Sequence, residues 1–124
     1  MKQLLCIFIG GGLGAALRYG ATLLATRWAA SPLPGTFVVN IVGCLALGAV
    51  LGYTQSRPGC LSEELRLFIS VGVLGALTTF STLNAELFTL LKSGRMGWAL
   101  AYLALSCLCG LLCTAAGYGL ASAR

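Results

Sequence analysis

The sequence contains no histidine and only three acidic residues. Histidine is the commonest metal ligand and the side chain that titrates near neutral pH. Its absence excludes a histidine-ligated metal site and a histidine proton switch. Two of the acids, Glu63 and Glu64, directly follow Ser62, which predicts a helix start with a serine N-cap and acids in its first turn; Glu86 is the only acid elsewhere. A single isolated acid without histidine offers no base to activate a nucleophile. The sequence therefore predicts a protein that is not an enzyme.

Charge of either sign is scarce, because charged residues make up 9% of the chain and hydrophobic residues 58%. Soluble domains carry about 25% charged residues. The net charge is +5, but the basic residues are scattered singly, without the basic patches and interleaved aromatic residues of a nucleic-acid surface. We predict an integral membrane protein that is one domain over residues 1–124, contacts membrane lipid and binds no nucleic acid.

Five of the six cysteines lie in apolar segments, and only Cys60 lies in a loop. Cys109 and Cys113 follow Cys107 by two and six residues, spacings that place them on helix faces diverging from that of Cys107. We interpret the cysteines as small apolar packing residues rather than as metal ligands.

Four apolar segments are each close to the ~20 residues that a transmembrane helix needs. Short stretches rich in proline, glycine or charge separate them, among them Ser31–Gly35. The sequence predicts an all-α membrane protein with spans at about 4–25, 36–53, 65–91 and 96–120.

The third segment is polar where a membrane helix should be most apolar. From Gly72 to Glu86 it contains two glycines, four hydroxyl residues, an asparagine and the isolated acid. Glycine and threonine weaken helices, and polar groups in hydrocarbon are costly and functional. Irregular backbone at this depth is tolerated only where it is buried in protein or lines a cavity. We predict a helix that is interrupted near Gly75–Thr79 and carries the function.

The fourth segment carries a hydroxyl stripe, which we define as Tyr102, Ser106, Gly110 and Thr114. Its members are four residues apart and therefore share one helix face. The other polar residues that we place at membrane depth are Asn40, Thr78, Thr79, Ser81, Thr82, Asn84 and Glu86. Most of these groups are neutral hydrogen-bond donors, which suit a small, strongly hydrated anion that must exchange water for donors. The positive ring edge of Phe80 could assist.

The basic residues predict no preferred orientation in the membrane, since orientation follows the Lys/Arg bias between loops. Four of them fall on the side of the termini and three or four on the other side. The first group is Lys2, Arg57, Arg66 and Arg124, and the second is Arg27, Lys92 and Arg95, with Arg18 near the boundary. This balance favours an antiparallel dimer, and four short helices would need a second copy to enclose a path.

Three motifs occur in order, at Gly11–Tyr19, Gly35–Asn40 and Gly72–Thr82. Together they resemble the CrcB/Fluc family of fluoride channels over the whole chain. The resemblance implies a fluoride-selective channel that exports fluoride passively across the bacterial inner membrane, built as an antiparallel dual-topology homodimer. It also implies a structural sodium ion, held by the backbone carbonyls of Gly75 and Thr78 from both subunits.

The resemblance further implies the residues of the fluoride path. It assigns Arg18 to a vestibule that attracts anions. Leu83 stands where the family has its second pore phenylalanine. The remaining pore positions are Asn40, Phe80, Ser81, Thr82, Glu86, Tyr102, Ser106 and Thr114.

Two alternatives remain open at this point. A small proton-coupled dual-topology exporter would use Glu86 as its proton site. A non-conducting partner subunit of a heteromeric fluoride channel would explain Leu83, because leucine lacks the positive ring edge of phenylalanine.

Overall fold

A computed structural model describes residues 1–29, 31 and 33–123 as helices joined by short turns. Pro32 and Arg124, which entered the sequence predictions, lie outside the described residues. No strand occurs in the described part of the chain. The helices are α1 (Lys2–Ala29), α2 (Leu33–Ser56), α3 (Glu63–Leu67), a π-helix (Phe68–Leu74), α4 (Gly75–Leu77), α5 (Phe80–Lys92) and α6 (Met96–Ser122).

Four helical stretches are long and apolar enough to cross a membrane: α1, α2, the third span over Glu63–Lys92, and α6. This confirms the predicted all-helical architecture with four spans. Large apolar side chains such as Phe8, Leu112 and Leu120 face outward, as expected where lipid surrounds the helices. Trp28 and Trp98, at the end of α1 and the start of α6, are also exposed, and tryptophan favours the membrane–water interface.

Helix α2 begins at Leu33, three residues before the predicted start of the second span. Pro34 lies in its first turn, where the missing N–H of proline has no helical partner to lose. The Leu33 N–H donates to Ser31 Oγ at 3.3 Å. The proline that was interpreted as part of a break therefore lies inside the helix.

Helix α3 starts with the cap expected from its sequence. Ser62 has extended backbone angles, and its hydroxyl accepts a hydrogen bond from the Leu65 N–H at 3.2 Å. Glu63 and Glu64 follow in the first turn, where negative charge favours the helix N-terminus. The two acids thus have a structural role.

Glycines set the distances between the spans. A methyl group at Gly48 of α2 would overlap the Thr114 carbonyl oxygen of α6, and one at Gly14 of α1 would overlap the Val73 carbonyl oxygen of the π-helix. Small residues of this kind let membrane helices pack backbone to backbone. The first contact holds α6 close to α2. The second holds α1 close to the π-helix, which precedes the interruption of the third span.

The third span leaves the helical conformation at Thr78 and Thr79, which we call the break. Thr78 has φ −79° and ψ 155°, and Thr79 has φ −153° and ψ 115°. Both are extended, and both lie within the predicted Gly75–Thr79 stretch. The helix resumes at Phe80, capped by the Thr79 side chain, which accepts from the Thr82 N–H at 3.2 Å.

Candidate functional site at the break of the third span

Asn40 of α2 binds both backbone groups of Thr79 at the break and supplies the acceptor that the Thr79 N–H lacks. Its Oδ1 accepts from the Thr79 N–H at 2.8 Å, and its Nδ2 donates to the Thr79 carbonyl at 3.3 Å. Backbone groups at membrane depth must be satisfied inside the protein, and one amide side chain does so here. Asn40, predicted as a pore residue, is engaged through both ends of its amide.

The other side of the break is held by Arg18 of α1. Its Nη1 donates to the Thr78 carbonyl at 3.4 Å, a long hydrogen bond. The Thr78 N–H and hydroxyl both donate to the Leu74 carbonyl, at 3.0 and 2.9 Å. The guanidinium predicted to lie at a vestibule therefore contacts the break directly and brings positive charge to it.

A hydroxyl cluster follows the break at the start of α5. The Thr79 hydroxyl donates to Thr82 Oγ1 at 3.0 Å and lies 3.2 Å from Ser81 Oγ. Thr79 is buried, whereas Ser81 and Thr82 are exposed. Thr79 is the centre of this cluster, although it was not among the predicted site residues.

A cavity of about 480 Å³, here called the break cavity, lies between the break and the hydroxyl stripe. The structure thus brings together predicted residues from α2, α5 and α6. Those that line the break cavity are Asn40, Phe80, Leu83, Ser106 and Thr114, together with Gly75 and Thr78 of the proposed metal site. Arg18, Ser81, Thr82, Glu86 and Tyr102 are not in its lining.

Phe80 and Leu83 both line the break cavity but differ in exposure. The Phe80 side chain is 76% exposed, while Leu83 is 5% exposed. Leu83 packs with Leu87 and Ala99 in the buried core, where Tyr102 also contacts the cluster. The phenylalanine is therefore available to a neighbouring molecule or ion, and the leucine holds α5 against α6.

Ser106 carries the one buried side-chain polar atom that lacks a hydrogen-bond partner in the described part of the chain. Other helical hydroxyl residues bond back to the preceding turn, as Thr114 does to the Gly110 carbonyl at 3.0 Å and Thr22 to the Arg18 carbonyl at 3.1 Å. An unmade hydrogen bond of a buried group costs about 1–3 kcal/mol. Ser106 also lines the break cavity, so this unpaired donor lies next to the space that a ligand would enter.

Glu86 lies buried beside the cavity with both carboxylate oxygens occupied. Oε1 accepts from the Thr36 hydroxyl at 2.6 Å, and Oε2 accepts from the Tyr102 hydroxyl at 2.8 Å. The Tyr102 hydroxyl also lies 3.4 Å from the Leu33 carbonyl, but its single hydrogen favours the shorter contact with Glu86. Among the predicted residues, Glu86 and Tyr102 thus form a group that is separate from the break cavity. It lies at the Tyr102 end of the hydroxyl stripe.

Thr36, like Thr79, is a residue of the site that sequence reasoning missed. It is 2% exposed and supplies the shortest contact to Glu86. A threonine in an apolar helix is unremarkable by itself, but its place in the Gly35–Asn40 motif was a signal that could have identified it.

The carbonyls of the break differ in their surroundings. In a continuous helix the Thr79 N–H would donate to the Gly75 carbonyl, but it donates to Asn40 instead. The Thr78 carbonyl accepts from Arg18. Neutral carbonyl oxygens are ligands that hard cations prefer, so the donor type suits a sodium ion. Two carbonyls from one chain do not form a cage, and a second copy would be needed to complete it.

The comparisons with known proteins agree on one family. The model of the family described as "CrcB-like protein, Camphor Resistance (CrcB)" matches residues 5–118. A relative from Methylobacterium sp. (strain 4-46) is 38% identical over 97% of this chain and 96% of its own length. Another, from Salinibacter ruber, is 44% identical over 98% of this chain and 90% of its own length.

A third relative, from Chloroflexus aurantiacus, is 41% identical over 97% of this chain and 95% of its own length. All three relatives are named "Fluoride-specific ion channel FluC". The family match covers nearly the whole chain, including the break, Asn40 and the hydroxyl stripe. The resemblance drawn from three short motifs is thereby confirmed, and the chain belongs to the CrcB-like family.

Proposed function

We propose that this protein is a fluoride-selective channel through which fluoride leaves the cytoplasm passively across the bacterial inner membrane. The name shared by its relatives supports a fluoride channel and not an enzyme. The observation that carries the proposal is the buried Ser106 hydroxyl without a partner, because it offers a donor inside a cavity lined by the break.

Fluoride enters the break cavity by exchanging water for protein donors. It is small and strongly hydrated, so each lost water must be replaced by a hydrogen bond of similar strength. Ser106 supplies such a donor, and the exposed Phe80 ring presents an edge of positive potential. Asn40 contributes differently, since both ends of its amide hold Thr79 and thereby keep the cavity open.

Glu86 acts in this proposal as a fixed acceptor that orients Tyr102 and Thr36. It is 9% exposed, and each of its carboxylate oxygens already has a hydroxyl donor. A proton-coupled exporter needs a carboxylate that exchanges protons and substrate with water. The closed surroundings of Glu86 favour the channel over that exporter.

A second copy of the chain supplies the missing wall of the path. One face of the break cavity is bounded by this protomer, and the Phe80 ring on it is largely exposed. The balance of basic residues between the two sides supports an antiparallel dual-topology homodimer. A heterodimer with a chain that carries phenylalanine at the position of Leu83 is the competing assembly.

In this proposal, a structural sodium ion lies between two such copies. The carbonyls of Gly75 and Thr78 from each copy would hold it, and a bound cation would stabilise the two breaks against each other. Arg18 already donates to the Thr78 carbonyl, so it would share that oxygen with the ion.

The test is anion efflux from liposomes that contain the purified protein and are loaded with fluoride or with chloride. We expect fluoride efflux with chloride retained. Ser106→Ala should slow fluoride efflux about ten-fold or more, because a hydrogen bond to a charged group contributes about 1.5–3 kcal/mol.

Ser122→Ala is the matched control, since its hydroxyl on the same helix bonds the Gly119 carbonyl. Efflux of both anions would refute selectivity. A folded protein that passes neither anion would assign the chain to the role of partner subunit.

A further inference from the structure

A second cavity, here called the apolar groove, lies at one end of the bundle. It has a volume of about 440 Å³ and runs between the end of α1, the start of α2, the end of α5 and the start of α6. Its walls are chiefly apolar side chains, including Phe37, Leu90, Trp98 and Leu105. Such walls cannot replace the water of a hydrated anion, so the groove is not suited to be a fluoride entrance.

The residues at the mouth of the groove are those typical of the membrane–water interface. The groove lies beside the turn between Lys92 and Met96, where the chain reverses direction, and the exposed Trp98 lines it. Tryptophan and basic residues mark the level of the lipid headgroups. A lipid in this groove would therefore have its polar headgroup at the turn and its acyl chain among the apolar walls.

Arg95 provides the charge that selects among lipids. It is exposed, lines the groove and stands at the N-cap of α6. No side chain caps this helix start, so its positive end is also available to an anion. A guanidinium binds phosphate oxygens in a bidentate geometry.

We propose that the apolar groove binds one anionic phospholipid, with an acyl chain against Phe37 and Leu105 and the headgroup phosphate at Arg95. This inference concerns a site separate from the break cavity. The binding itself does not depend on the proposed function. Its effect on transport does rest on that function.

The bound acyl chain would contact the side chain that ends the hydroxyl stripe. Tyr102 lines the groove, and its hydroxyl bonds Glu86 at 2.8 Å. A lipid packed against the ring limits its rotation and keeps the hydroxyl on Glu86. Fluoride flux should therefore be higher in membranes that contain anionic lipid.

The test measures lipid retention by the purified full chain with native mass spectrometry. The probes are phosphatidylglycerol and phosphatidylcholine with the same acyl chains. We expect the wild type to retain phosphatidylglycerol preferentially, and Arg95→Gln to reduce that preference about five-fold, the effect of one basic residue near an anionic surface. Arg27→Gln is the matched control, because Arg27 is an exposed arginine at the same end and is outside the groove lining.

Filling the groove tests the position of the acyl chain. Ala101→Trp should reduce retention of both lipids, and Leu105→Trp serves the same purpose if the first variant does not fold. Equal retention of the two lipids by the wild type, or equal effects of the Arg95 and Arg27 substitutions, would overturn the proposal. The proposal would also be overturned if Arg95→Gln lost the dimer but kept the wild-type lipid preference, because the groove would then be a contact with a second copy of the chain.

Flux measurements separate this proposal from the proposed function. Wild-type efflux in phosphatidylcholine and in phosphatidylglycerol liposomes shows whether the channel works at all. If the protein binds the anionic lipid preferentially but fluoride efflux is equal in both lipids, the proposed effect of the lipid on transport would be overturned and the binding site would stand. Absence of fluoride efflux in both would refute the channel and leave the binding result standing.

Discussion

Two neighbouring hydroxyl residues of the stripe differ in how their donors are used. Tyr102 gives its hydrogen to Glu86 at 2.8 Å. Ser106, one helical turn away, has a buried hydroxyl without a partner among the described residues. The same pattern of residues thus contains one donor that is committed to the fold and one that is available.

The difference arises from the helices opposite α6. Tyr102 faces Glu86 of α5, which is buried and needs donors for its negative charge. Ser106 faces the break cavity, where Asn40 is already engaged with Thr79. Residue type alone does not distinguish a structural hydroxyl from a binding one; the neighbouring acceptors do.

The largest effect should come from Asn40, which holds the backbone that shapes the cavity next to Ser106. Asn40→Ala leaves the Thr79 N–H without a partner and removes one of the donors to the Thr79 carbonyl. The unmade N–H bond costs about 1–3 kcal/mol and the lost bond to the carbonyl about 0.5–1.5 kcal/mol, so we expect a loss of about 2–4 kcal/mol in the free energy of unfolding. Thermal unfolding in detergent, followed by size-exclusion chromatography, measures it.

Asn84→Ala is the control for this change. Asn84 is exposed on α5, and its Nδ2 donates to the Phe80 carbonyl at 2.9 Å. It should lose less than about 1 kcal/mol, the typical net contribution of an exposed hydrogen bond. Equal losses for the two asparagines would show that Asn40 does not hold the break.

The next prediction concerns the two hydroxyl donors to Glu86. Thr36→Val and Tyr102→Phe each remove one donor from the Glu86 carboxylate and should each destabilise the protein by about 1.5–3 kcal/mol, since hydrogen bonds to charged groups are the stronger ones. Because both act on one carboxylate, the double variant should depart from the sum of the single effects. Strict additivity in chemical denaturation would contradict a shared acceptor.

Local sequence was sufficient to predict several parts of the fold. Hydropathy predicted four spans, the Ser62 cap and its acids predicted the start of α3, and the cluster of glycine and hydroxyl residues predicted the place of the break. Each of these follows from the chemistry of residues that are close in the chain. Helix α2 begins three residues before the predicted span, because Pro34 is tolerated in a first helical turn.

The contacts that define the site could not be predicted in this way. Thr36 and Glu86 are 50 residues apart, and Asn40 and Thr79 are 39 apart, so their pairing depends on how the spans pack. The periodicity placed Tyr102 and Ser106 on one helix face. Whether each hydroxyl finds an acceptor depends on the helix opposite it. The family resemblance supplied the candidate residues without showing which donors are occupied.

Ser106→Ala should have the smallest effect on stability and the opposite sign from the changes at Glu86. Removing a buried hydroxyl without a partner relieves its desolvation cost, so the free energy of unfolding should stay unchanged or rise by up to about 1 kcal/mol. Fluoride efflux should fall in the same variant. Thermal unfolding and efflux on one preparation measure both, with Thr114→Val as a comparison, since the Thr114 hydroxyl bonds the Gly110 carbonyl at 3.0 Å. If Ser106→Ala destabilised the protein as much as Tyr102→Phe, the Ser106 hydroxyl would be part of the fold, and the contrast between these two residues would be wrong.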